Sequence, residues 1–247
     1  MRRLLFLLLP VAIILPAAGC SNERSGPLGS EPRPNNPSPS GTDMTIDFSE
    51  FAGGDTVTST HGIEVSLTAR GERCADAVIA FDTSVPHGDE GDDLDLGSPN
   101  QAFGGPGVGA GGAEGPFVND RPVGNLLVIQ EDPAYPDGNP DLQDDCSAGG
   151  TIVLDFGALS AAGVTLSTIT VMDVDNGKQG RSEFRFYGED DQLLSVVNPP
   201  VTGRNGVATI DLGPASGVLR MEVVQTVSVA IARIAITVPD PPGETTG

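Results

Sequence analysis

Tryptophan is absent from this chain and tyrosine nearly so: of 247 residues none is Trp, two are Tyr and nine are Phe. Sites that hold sugars by stacking rely on such rings, so a stacking platform has only Tyr135 and Tyr187 to draw on. Bases are scarce too, 13 Lys and Arg against 34 Asp and Glu, for a formal net charge of −21. That balance argues against nucleic acid, whose phosphates need Lys and Arg to replace released counterions. It argues equally against electrostatic adhesion to anionic headgroups. Histidine is limited to His61 and His87, the side chains able to change charge near neutral pH, and neither lies in a GxSxG or HExxH motif. No helical 3.6-residue stripe persists for three turns. The glycines of Gly107–Gly112 match GxGxxG. They lack the preceding strand and following helix that a dinucleotide site requires, so the stretch reads as a flexible loop and no nucleotide is expected.

What is present begins with an address. Arg2 and Arg3 precede an apolar run from Leu4 to Pro16, followed by Ala17-Ala18-Gly19-Cys20. The run is short of the ~20 apolar residues that span a bilayer and has the layout of an export signal. Its last four residues resemble the lipobox of bacterial lipoproteins. That resemblance implies a signal peptide over residues 1–19, cleavage before Cys20, and acylation of the Cys20 thiol. The partner so implied is a membrane, held through the N-terminal lipid, in the bacterial cell envelope. Ser21 replaces the Asp that retains lipoproteins of this kind at an inner membrane, so an outer membrane is the preferred location. Residues 20–43 then form a Pro- and Ser-rich tether with almost nothing apolar to bury, reaching about 70 Å if extended as polyproline. Residues 240–247 read as a disordered tail, leaving one domain over residues 44–239.

With Cys20 lipidated, Cys74 and Cys146 remain. Two cysteines in an exported protein pair in most cases, and no CxxC or Cys/His cluster supports a metal site instead. Within the domain, twelve short segments rich in Val, Ile, Leu and Thr are bounded by Gly, Pro, Asn or Asp, the pattern of strands and turns. The first is Thr45–Phe51 and the last Val227–Val238. Apolar and polar residues alternate in 183–187 and 209–212, as on a half-buried sheet. The expected fold is all-β, an antiparallel β-sandwich of jelly-roll type. Residues 84–121 are too long and glycine-rich for a hairpin, and such loops are commonly functional or mobile.

The strongest chemical signal is acidic. Fourteen Asp and Glu lie between Asp82 and Asp145, with Arg121 the one base among them. Carboxylates this dense must be solvated or bridged by a cation, and calcium takes six to eight oxygens in flexible geometry. Asp137-Gly-Asn139-Pro-Asp141 begins like an EF-hand loop and then fails, with Leu142 at the required Gly and Ala148 at the required Glu. A calcium site assembled from several loops therefore stands beside a plain solvated surface. Asp173 and Asp175 sit at alternate positions where a strand ends, placing two carboxylates on one side. The expected metal ligands are Asp82, Asp92, Asp93, Asp95, Glu131, Asp132, Asp173 and Asp175. Tyr135, between acidic turns, is the expected ligand-binding aromatic.

Ile46-Asp-Phe-Ser49, Phe81-Asp-Thr-Ser84, Asp92-Asp-Leu-Asp-Leu-Gly97, Asn125–Asp132 and Val171–Asp175 together resemble a group of secreted bacterial β-sandwich domains of undefined activity, often found with surface-sorting tags. The resemblance implies the fold and an extracytoplasmic setting and assigns no substrate. The expected function is non-catalytic binding or adhesion at the envelope, with calcium as cofactor and a glycan or envelope protein as partner. The alternatives are a glycan-active hydrolase using paired carboxylates and a purely structural envelope protein.

Overall fold

A computed structural model of the chain describes residues 40–85, 93–134, 145–175 and 181–241. Twelve strands follow one another: β1 (Gly41–Ile46), β2 (Ser59–Thr60), β3 (Ile63–Arg70), β4 (Cys74–Asp82), β5 (Asn125–Glu131), β6 (Gly150–Asp155), β7 (Val164–Met172), β8 (Glu183–Tyr187), β9 (Leu193–Val197), β10 (Val207–Val218), β11 (Arg220–Gln225) and β12 (Ala230–Pro239). They form two six-stranded antiparallel sheets. One runs β10-β7-β12-β5-β4 with β1 also on β12, and the other runs β2-β3-β6-β11-β8-β9. The last eight strands pair as β5 with β12, β6 with β11, β7 with β10 and β8 with β9. Folding one long antiparallel ribbon over itself produces this nesting, which makes the sandwich a jelly roll. β3 and β4 extend it by one strand on each sheet.

Side-chain alternation drives the second sheet together. In β8, Phe184 and Phe186 point inward while Glu183, Arg185 and Tyr187 point out; in β11, Met221 and Val223 are buried between Arg220, Glu222 and Val224. Each Phe or Met so buried contributes about 2 kcal/mol of hydrophobic stabilisation. The first sheet obeys a different rule. Val78 to Phe81 of β4 and Leu126 to Ile129 of β5 are buried without interruption, because both faces of those strands are covered. Ala80, Leu127 and Ile129 join the core between the sheets. Ile79, Phe81, Leu126 and Val128 join a smaller cluster with Leu96, Met172, Ala230 and Ala232. Leu96 belongs to the segment 93–124, a strap laid over the outside of the sheet.

Three short 3₁₀ turns shape the strap: Leu94–Leu96, Gln101–Phe103 and Ala110–Gly112. Within the glycine-rich part, Gly107 and Gly111 are buried while residues 108–110 are exposed. Gly109 has φ 151°, and a Cβ there would stand 2.5 Å from the Arg204 carbonyl oxygen; one on Gly111 would stand 2.1 Å from that of Asn205. Only glycine lets the strap backbone approach so closely. Smaller departures occur at element ends. Residues 55–60 form a strand only at Ser59–Thr60, and β1 begins at Gly41, so the sheet takes in residues assigned to the tether. β10 runs on to Val218 through register shifts after Asp211 and Ala215.

Candidate functional site

The strap is fastened by amides. Asn205, fully buried, sits in the left-handed region at φ 64° in the turn before β10. Its Nδ2 donates to the carbonyls of Asp95 (2.9 Å) and Gly97 (2.7 Å), and its Oδ1 accepts from Asn100 Nδ2 (2.6 Å) and Asn119 Nδ2 (3.1 Å). Asn100 and Asn119 are themselves buried. One side chain thus uses both donors and both lone pairs to hold four residues of the strap. The backbone N–H of Asn205 donates to Asp173 Oδ1 at 3.0 Å, which joins the strap to the end of β7.

At that junction lies an acidic pocket of about 210 Å³, lined by Asp93, Asp95, Glu131, Asp145, Asp173 and Asp175, by Arg73 and Arg204, and by Ser147 and Ser228. The carboxylates arrive from separate places: the start of the strap, the end of β5, the residue just before Cys146, and the end of β7. Cys74 and Cys146 are bonded, closing a sequence separation of 72 residues, and this bond places Arg73 and Asp145 beside one another's strands. Cys74 pairs in register with Glu131, and the Cys146 N–H donates to the Ile129 carbonyl at 2.8 Å.

The charges are partly compensated. Arg73 Nη2 is 3.1 Å from Glu131 Oε1, and Arg204 Nε is 3.7 Å from Asp95 Oδ2. The Asp145 N–H donates to Asp93 Oδ2 at 2.5 Å, and the Ser228 hydroxyl donates to Asp145 Oδ2. Asp173 is the extreme member. Only 3% exposed, with φ 56°, it has its pKa pushed up to about 8. Burial is the main cause, followed by the neighbouring charges of Asp95 and Asp145, and the hydrogen bond from Asn205 opposes them. Among the described residues no three acidic, histidine or cysteine groups stand at ready-made metal-ligand spacing. The pocket is an acidic concavity whose carboxylates are shared between arginines and hydroxyls.

Of the expected ligands, Asp93, Asp95, Glu131, Asp173 and Asp175 come together here. Asp82 and Asp132 do not. Asp82 Oδ1 accepts from the backbone and hydroxyl of Ser84, and Asp132 Oδ1 accepts from the Ala134 N–H, so each closes its own turn. Asp92, Tyr135, His87, Cys20 and the Asp137–Asp141 stretch lie outside the described residues. Asp145 joins the pocket unforeseen; its adjacency to Cys146 was the available signal. Arg73, Arg204 and Ser228 carry no sequence signal for the site.

The other candidates have structural work. His61 opens the tight β2–β3 turn at φ 51°, with Nδ1 2.8 Å from Thr60 Oγ1 and 3.4 Å from Glu50. Tyr187 donates its hydroxyl to Glu222 Oε2 at 3.0 Å, and the Arg220 guanidinium lies 4.0 Å over its ring. The exposed face that could stack on a sugar is therefore taken by an arginine. No protein-family model matches this chain, and no curated protein matches it in sequence.

Proposed function

We propose that the protein is a lipid-anchored envelope protein whose jelly roll is a non-catalytic binding or adhesion module stabilised by calcium in the acidic pocket. The observation that carries this reading is the convergence of six carboxylates from four separated segments on one pocket, with Asp173 desolvated among them. Oxygen-only donors, mixed with serine hydroxyls, match a hard cation that tolerates irregular geometry. A cation there supplies the positive charge that Arg73 and Arg204 provide only in part, and draws in the carboxylates that now lean on those arginines. Acylation of Cys20 anchors the module, with each buried methylene contributing about 0.8 kcal/mol, and the outer membrane is the location its Ser21 favours. The partner is a glycan or an envelope protein. A hydrolase using two of these carboxylates receives less support, because about 210 Å³ falls below the ~300 Å³ at which substrate pockets begin.

Thermal unfolding of the protein in millimolar calcium and in chelator tests the calcium reading. At a hundred times Kd, ligand binding adds about 2.7 kcal/mol, a rise of roughly 5–10 °C for a domain of this size. Asp175→Asn should reduce the rise. Equal midpoints in calcium and chelator would return the pocket to solvated surface.

A further inference from the structure

The outer face of the first sheet carries a second concavity, of about 320 Å³, beside the strap. Its floor is a row across three adjacent strands: Arg233 of β12 stands in register with Thr170 of β7, and Thr170 with Thr209 of β10. The two threonine hydroxyls are 2.9 Å apart. Strap residues 118–123 make the wall, bringing Arg121 and Asp120 to face that row. Apart from Asn119, the remaining lining is apolar, from Pro122, Val207 and Ala232 among others.

Two arginines line this cleft. Arg73, Arg185, Arg204 and Arg220 each pair with a carboxylate, while Arg70 donates to the Cys74 carbonyl. Arg233 is exposed and in no direct ion pair among the described residues, although its charge helps to lower the pKa of Asp47. Arg121, with 87% of its side chain exposed, reaches only the neighbouring Asp120, at 3.9 Å. Two guanidinium groups thus open onto one cleft, with Asp120 beside Arg121 and Asp47 within electrostatic reach of Arg233.

We propose that this cleft binds the carboxylate-bearing sugar units of an acidic glycan. A guanidinium fork matches a carboxylate in two parallel hydrogen bonds. Thr170, Thr209 and Asp120 offer donors and acceptors to ring hydroxyls, and the Pro122–Val207–Ala232 surface accepts the C–H face of a pyranose. The volume suits one sugar ring at a time, at the small end of ligand sites. Asp120 disfavours a compact dianion such as phosphate, whereas it accepts a hydroxyl from a sugar. Without an aromatic platform each unit binds weakly, and a polymer compensates by presenting many. This inference gives the binding reading above its ligand class and rests on it, while using none of the acidic pocket's residues.

The experiment is a calorimetric titration of the protein with trigalacturonate in chelator. Its methyl ester, inorganic phosphate and a glutamate oligopeptide serve as comparators. Trigalacturonate should bind with a Kd near millimolar, and the ester, which keeps rings and hydroxyls but loses the charge, at least tenfold more weakly. Arg233→Gln and Arg121→Gln should each weaken binding at least fivefold with an unchanged unfolding midpoint, as befits exposed side chains. Equal affinity for the ester, for phosphate or for the peptide overturns the proposal, as does indifference to both substitutions. Binding that appears only when calcium is added belongs to the acidic pocket and also overturns the assignment to the cleft. A missing calcium shift in the unfolding experiment leaves these outcomes untouched, so the two readings fail separately.

Discussion

Asn205→Ala removes the group on which the strap depends. Four side-chain hydrogen bonds disappear, two to backbone carbonyls and two from the amides of Asn100 and Asn119. Each net bond contributes about 1 kcal/mol. Some orphans keep a second partner, since Gly97 O still accepts from Asn119 Nδ2 and Asn100 Nδ2 still reaches Gly109 O. Alanine also tolerates the φ of 64° less well than asparagine. The expected loss is about 4 kcal/mol, a large part of the 5–15 kcal/mol that holds most domains folded. Urea unfolding measures the total, and hydrogen exchange shows where the loss falls. The amides of Gly107, Gly111 and Asn119, bonded to Pro99, Arg204 and Gly111 carbonyls, should lose protection before those of β7 and β12. Asn205→Gly relieves the backbone but loses the same four bonds, and should recover about 1 kcal/mol at most. A loss under 1 kcal/mol with strap protection intact would refute the fastening role.

Two further outcomes follow from the acidic pocket and its staple. With its pKa at about 8 in the folded protein against 3.8 ordinarily, Asp173 stays protonated when folded but ionises when unfolded throughout that interval. In chelator, stability should therefore fall as pH rises from about 4 to 8, by roughly 1.4 kcal/mol per pH unit, and Asp173→Asn should flatten the profile; a flat wild-type profile would contradict it. Replacing Cys74 and Cys146 together by alanine opens the 72-residue loop, which the chain-entropy account sets at about 4 kcal/mol. The same variant should lose any calcium-dependent rise in midpoint, read by thermal unfolding, because Arg73 and Asp145 flank the bond.

Much of this fold can be read directly from sequence. The twelve apolar segments match the twelve strands in order, because each is bounded by turn residues and most alternate. Val78–Phe81 and Leu126–Ile129 mark burial on both faces by having no alternation at all. The strap was illegible for a physical reason: what orders its glycines is Asn205, 105 residues from Asn100, and nothing local to Gly107–Gly112 signals that partner. The acidic pocket was half legible. Charge density pointed to Asp93, Asp95 and Glu131, and alternation to Asp173 with Asp175. It could not separate them from Asp82 and Asp132, whose side chains accept hydrogen bonds within neighbouring turns. Arg73 and Arg204 enter through three-dimensional proximity alone.

The place of β12 in the first sheet governs when this chain can fold. The strand lies between β7 on one side and β5 and β1 on the other, and Thr237 bonds to Asp43 across a separation of 194 residues. That sheet therefore lacks its central strand until β12 has been made. Pairings this distant in sequence also close slowly. Synthesis order alone thus delays completion of the first sheet until β12 arrives.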